Sequence, residues 1–272
     1  MSSYNIPSKR PLIAAHRGVY GSSIPCNTLD AFDIALRKGA DIIETDVQRS
    51  VDGQMFLFHS GMEHVFLGNP DIHLDQMTGE EISRLYLVND SLNPTYYRLP
   101  TLDDGLEQLK GCCLINLDRC EDFWEELVPY IERHGMAEQI LFKSAANPEY
   151  FKRMEALGNR YCYFPVVYER DNASSFLEGM NIRFGGLEVV FNSENSPLCQ
   201  PEYIESQHAA GRLLWVNCII ISREKSLCAG HDDERSMTVN QKEGWGWCID
   251  KGFDIIQTDW TGELNDFRDT GI

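Results

Sequence analysis

The sequence predicts an α/β protein, a (β/α)8 barrel of the TIM type, and three observations carry that expectation. Eight short β-rich runs are spread along the 272 residues. Amphipathic helical windows separate most of them, as in repeated βα units around a parallel sheet. One stretch, about residues 60–100, breaks the rhythm and reads as an inserted segment after the second strand. Periodicity does not show whether a sheet closes, so an open doubly wound sheet is the competing architecture; the count of eight favours the barrel.

In chain order the strands are expected at LIAAH (12–16), DIIETDV (41–47), CLINLD (113–118), QILFKS (139–144), YCYFPVV (161–167), GLEVVF (186–191), LLWVNCI (213–219) and DIIQTD (254–259). The clearest helices are TLDAFDIALRKG (28–39), FWEELVPYIERHG (123–135), NPEYFKRMEALG (147–158) and PEYIESQHAAG (201–211). Thr28 suits the N-cap of the first, where its hydroxyl accepts from an unpaired N–H. These helices end on Gly39, Gly135, Gly158 and Gly211, which close a last turn without steric cost. Between Ser60 and Pro100, Gly, Asn, Asp and Pro are frequent and no βα unit is clear. Loops at the C-terminal ends of barrel strands are where active sites are built. No linker or repeat divides the chain, so residues 1–272 are expected to form one domain that carries this insertion.

With 43% hydrophobic residues the chain is rich enough for one large core. The polar start MSSYNIPSKRP is not a secretory leader, and no apolar run is long enough to span a bilayer. Nine scattered cysteines match no zinc spacing and read as reduced thiols of a cytoplasmic protein. A net charge of -18 repels nucleic acid and anionic membranes. An anionic small molecule would therefore need local positive charge, from a metal ion or a few placed basic residues. Composition does not indicate an oligomeric state.

The stretch AAHRGVYGSS (14–23) places His16 and Arg17 at the end of an apolar strand, either as a solvated strand end or as the rim of a site. Glu44 and Asp46 lie two apart on the next strand, so both leave one face, roughly 7 Å apart at Cα. Inside a closed barrel two unpaired carboxylates are costly; at its mouth they can share a divalent cation through hard oxygen ligands. Asp52-Gly53 is a strong signal for a two-residue hairpin turn. Counting back from that turn pairs Val51 with Gln54 and sets Asp46 opposite His59. Opposed residues project to one side with Cβ atoms about 5 Å apart, so Glu44, Asp46 and His59 are expected to cluster, and a bulge would shift the pairing by one.

These residues resemble the glycerophosphodiester phosphodiesterase family. The resemblance is close over residues 12–59: HRG, the element Pro25-Cys26-Asn27-Thr28, and GADIIETDVQRSVDGQMFLFH. Weaker similarity follows at 97–111, 115–119, 213–217 and 252–260. It implies a (β/α)8 barrel with an insertion after the second strand, and hydrolysis of glycerophosphodiesters to glycerol phosphate and an alcohol with Mg2+ or Ca2+. It also implies His16 and His59 as the acid/base pair, Arg17 on the phosphate, Glu44, Asp46 and Asp118 as metal ligands, and Trp215 lining the substrate pocket. Asp118 stands where the family usually has a Glu, Cys120 where it has a Lys two residues later, Ser60 where it has an Asp, and Cys26 where it has a Glu. Lys143, near the end of its strand, is either the replacement for the lost lysine charge or an ordinary strand-end lysine.

A phosphodiester is an anion whose displacement gathers charge on its oxygens, and a cation with the planar guanidinium of Arg17 suits that charge. Two histidines titrating near neutrality can act as base and acid, His16 on the attacking hydroxyl and His59 on the leaving alcohol. A phosphodiester lyase that stops at a cyclic phosphate and a non-catalytic binder of phosphorylated small molecules are the alternatives.

Overall fold

The computed structural model describes residues 11–222 and 225–270. The polar start from which no leader was read lies, but for Pro11, outside the described residues. The eight expected strands form as β1 (Leu12–His16), β2 (Ile42–Arg49), β3 (Leu114–Asp118), β4 (Ile140–Ala145), β5 (Cys162–Tyr168), β6 (Gly186–Val190), β7 (Leu213–Asn217) and β8 (Ile255–Thr258). Each pairs in parallel with the next, and β8 returns to β1, so the sheet is a closed barrel rather than an open one.

The alternation of side chains along these strands sorts the core into two layers. Outward residues such as Ile13, Ile43, Ile115, Phe142, Val189 and Ile256 pack under the helices. Inward residues in the first half of the strands, among them Leu12, Ile42, Leu114, Leu141, Phe164 and, at mid-strand, Trp215, form a separate apolar plug. Further along the same inward face the residues become polar: Glu44, Asn116, Lys143, Glu188 and Gln257 are all buried. That switch separates the floor of the barrel from its mouth.

Helix α1 (Leu29–Arg37) starts as expected, with the Thr28 side chain accepting from Ala31 N. Helix α2 (Leu102–Leu109), which periodicity alone did not single out, opens on a reciprocal cap between Thr101 and Asp104. Gly105 interrupts its pattern because a Cβ there would stand 2.7 Å from Leu57 Cδ1. The helices Trp124–His134, Pro148–Ala156 and Pro201–Ala209 follow β3, β4 and β6.

The hairpin after β2 differs from the sequence arithmetic by one residue. Arg49 pairs with Met55, Gln48 with Phe56 and Val47 with Leu57. Ser50 N donates to Gln54 O, leaving a three-residue loop with Gly53 at φ 85°. Asp52 accepts from Ser50 Oγ at 2.6 Å and from Gly79 N at 2.8 Å, so its side chain ties the loop to the inserted segment. A two-residue primed turn would need a positive φ at Asp52 as well; the loop takes its single left-handed residue at Gly53 instead. Asp46 consequently lies opposite Phe58, whose N–H donates to Asp46 O.

The inserted segment has its own organisation. Short helices (Glu63–Phe66, Gly79–Ile82) and an antiparallel pair (Tyr86–Val88 with Pro94–Arg98) surround a small core of Phe56, Phe58, Leu74, Ile82, Leu87 and Leu99. Among the described residues no helix is long and apolar enough to cross a membrane.

Candidate active site

The mouth of the barrel is a cavity of about 590 Å³ whose wall includes His16, Arg17, Glu44, Asp46, His59, Asp118 and Lys143. Seven of the eight residues singled out in the sequence therefore converge. The strand register explains why: parallel pairing sets His16, the last residue of β1, beside Glu44, and Asp118, the last residue of β3, beside Asp46. His59 joins them although the predicted pairing with Asp46 fails, because the chain leaves the hairpin ladder after Leu57 and returns along the cavity wall.

Glu44, Asp46 and Asp118 each offer an oxygen within 4.8 Å of the others, and they are the group of metal-ligand character found among the described residues. Burial pushes the Glu44 carboxyl up to about 7, and the neighbouring Asp46 and Asp118 add to that, while His16 and Lys143 oppose it. A cluster of hard oxygen donors of this kind could hold a divalent cation. Asp46 is held in place by its neighbours. Asn27 Nδ2 donates to its Oδ2 at 2.9 Å, and Asn27 Oδ1 accepts from Thr45 Oγ1 at 2.8 Å. Asn27 holds this position with a left-handed backbone, φ 55°.

Arg17 is anchored at both ends. Its N–H donates to Glu44 Oε2 at 3.0 Å, and its Nε lies 3.0 Å from Asp46 Oδ2 as an ion pair. Phe66 of the inserted segment covers its guanidinium at 5.9 Å. Gly18 beside it is required on two counts: its φ is 81°, and a Cβ would lie 2.7 Å from the Ala31 carbonyl carbon. Cys26, where the resembled family has a Glu, is buried, and burial pushes its thiol up to about 12, so it adds no negative charge next to Arg17.

The two histidines sit in different fields. Burial would depress His16, but the hydrogen bond to Asp259 and the carboxylates of Glu44 and Asp259 outweigh it and hold it above its ordinary value. His59 is held below its ordinary value, first by burial and then by Arg17 and Arg119 against the pull of Asp46. His59 Nδ1 donates to Ser60 O at 2.8 Å, a backbone contact indifferent to the Ser side chain at that position. That leaves Nε2 for the cavity.

Lys143 is 2% exposed and is not an ordinary strand-end lysine. Its Nζ donates to Glu188 Oε2 at 2.7 Å and to Gln257 Oε1 at 3.1 Å. An ammonium has three donors, so one remains for the cavity it lines. Trp215 is a correction. It is fully buried in the apolar plug, its indole lies 4.2 Å beneath Lys143 Nζ, and it does not line the cavity. As an inward residue of mid-strand β7 it belongs to the floor; the inward residue two further along, Asn217, is the one that reaches the wall.

Sequence reasoning missed Arg119. The chain after β3 turns through Arg119 at φ 59°, so Cys120 points into the core and Arg119 toward the cavity. Its guanidinium is exposed and has no ion-pair partner among the described residues. The signal was the turn itself, which breaks the strand alternation that would place residue 120 inward.

Fold and site together define a (β/α)8 barrel with an acidic, histidine-bearing mouth. Its curated relatives and structural neighbours are glycerophosphodiester phosphodiesterases, in agreement with the resemblance carried by HRG and its companions. One of Arabidopsis thaliana is 33% identical over 99 residues, a segment covering 35% of this chain and 29% of that protein. The matched segments span less than a third of these curated relatives. A glycerophosphoryl diester phosphodiesterase of Parabacteroides distasonis aligns over 99% of this chain and 90% of its own, with a TM-score of 0.77 and 19% identity. A phosphodiesterase of Oleispira antarctica, solved with the product sn-glycerol-3-phosphate, aligns over 96% of this chain and 98% of its own, with a TM-score of 0.67 and 20% identity. Residues 163–267 match a family described as a domain of unknown function, a span that contains β6 to β8 but none of the three carboxylates.

Proposed function

We propose that this chain hydrolyses glycerophosphodiesters to glycerol phosphate and an alcohol, with a divalent cation, Mg2+ or Ca2+, held by Glu44, Asp46 and Asp118. The observation that carries the proposal is the convergence in one cavity of three carboxylates, two imidazoles and a guanidinium. The neighbour solved with sn-glycerol-3-phosphate supports the substrate class. When bound, the cation supplies electrostatic stabilisation of phosphate oxygens.

The chain's own residues supply the rest. Arg17, held by Glu44 and Asp46, presents its planar fork to the phosphate. Lys143 offers its third donor from the cavity wall, and Arg119 takes over at the rim the charge of the absent lysine. These groups create a positive patch in a protein of net charge -18. His16, the more basic imidazole, takes the proton of the attacking hydroxyl; His59, the more acidic, returns one to the leaving alcohol. The chain acts as one cytoplasmic domain on small molecules, without nucleic acid or membrane.

A panel of glycerophosphodiesters assayed with and without EDTA, followed by metal add-back, tests this reading. Turnover abolished by EDTA and restored by Mg2+ or Ca2+ is expected, and H16A and H59A should each lose about 10²-fold or more. Near wild-type rates in both variants, or no effect of EDTA, would refute it. Phosphorus NMR of the product separates hydrolysis from release of a cyclic phosphate.

A further inference from the structure

We propose that Asp259 is the positioning residue of His16, fixing its tautomer so that Nε2 faces the reacting centre; this rests on the function proposed above. Barrel closure creates the contact. β1 and β8 pair in parallel, with Ala15 beside Thr258, so the residues that follow, His16 and Asp259, emerge together at the mouth. His16 Nδ1 lies 2.8 Å from Asp259 Oδ1, although 243 residues separate them in sequence.

A carboxylate oxygen only accepts, so Nδ1 carries a proton, and in the neutral ring Nε2 is left with its lone pair. On the other side His16 pairs along the backbone with Glu44, so the imidazole is held between β8 and β2. Asp259 is itself constrained. Its backbone N–H donates to Asp233 Oδ2 at 2.9 Å, and Asp233 Oδ1 accepts from Thr258 Oγ1 at 2.7 Å and Trp245 Nε1 at 2.8 Å. Tyr20 OH adds a second donor to Asp259 Oδ1 at 3.3 Å. A carboxylate so braced fixes the ring orientation as well as the tautomer. Asp259 does not belong to the three-carboxylate group, so its role is separable from cation binding.

The test compares wild-type protein with D259A and D259N, kinetically and by nitrogen-15 NMR of the His16 ring. D259A removes the acceptor and should lower kcat by about 10²–10⁴-fold, as expected for an orienting carboxylate behind a catalytic imidazole. KM and cation affinity should change by less than about 3-fold. The ring nitrogens should show Nδ1 protonated in wild type and a shift toward the Nε2-protonated form in D259A. D259N is of equal size and serves if D259A does not fold; its amide can donate to Nδ1 and so select the wrong tautomer, and a loss within the same range is expected. Unchanged kcat in both variants, an unchanged tautomer, or a rise in KM at constant kcat would overturn the proposal; the last would make Asp259 a substrate contact. If the wild type turns over no glycerophosphodiester, the function fails while the NMR comparison still judges Asp259.

Discussion

Replacing Lys143 by Met separates two roles that the structure gives one ammonium. Lys143 and Glu188 form a fully buried pair, 2.7 Å apart, and Asn217 Nδ2 donates to the other Glu188 oxygen at 3.2 Å. Burial would depress the ammonium, but Glu188, with Asp118 and Glu44 behind it, holds it above its ordinary value. Removing one partner of such a pair strands the other charge at a cost of about 3–5 kcal/mol. At about 2–4 °C per kcal/mol, K143M should melt about 6–20 °C below wild type. K143M/E188Q removes the stranded charge, and the new amide oxygen can still accept from Asn217, so most of the lost stability should return. Activity should not return with it. The third ammonium donor to a charged substrate oxygen contributes about 1.5–3 kcal/mol. Both variants should therefore lose about 10- to 150-fold in kcat/KM at saturating cation. Thermal denaturation and steady-state kinetics read the two effects separately. A single variant that melts within about 2 °C of wild type would refute the buried pair, and a double variant with wild-type kcat/KM would refute the substrate contact.

Three further outcomes follow from the site's supports. N27A removes the amide that holds Asp46 and Thr45, and cation affinity measured by calorimetry should fall about 10–100-fold with the fold retained. G18A forces a Cβ against Ala31 at a left-handed φ and should cost about 2–4 kcal/mol in denaturant unfolding. Asp233 predicts a pH signature. Burial pushes its carboxyl up to about 8 in the folded chain, above the ordinary 3.8, so between those values the unfolded state is ionised while the folded state keeps its proton. Its contribution to stability is complete below the lower value and declines as pH rises toward about 8, at up to about 1.4 kcal/mol per pH unit. The wild-type minus D233N stability difference should fall across that window and level off above it; a difference independent of pH would exclude a buried, protonated Asp233.

Much of this molecule was readable before any coordinates. The barrel strands are runs buried on both faces, so their apolar density marks them, and His16, Glu44, Asp46 and Asp118 stand where those runs turn polar. Local arithmetic failed at the hairpin, where side-chain bonds from Ser50 and Gly79 to Asp52 select a three-residue loop that dipeptide preference does not report. Arg119 was hidden by a left-handed turn that exchanges the directions of neighbouring side chains. Trp215 was misplaced because a strand's inward face serves both floor and wall, and depth along the axis decides which. Asp259 was out of reach because its partner lies at the other end of the chain.

The seam between the first and last strands also bears on when the molecule becomes active. A polypeptide emerging from the ribosome presents both histidines, Arg17 and the three clustered carboxylates before β8 is made. His16 lacks its acceptor until Ile255–Thr258 docks beside Leu12–His16. Closure of the ring and completion of the His16 pair are therefore one event.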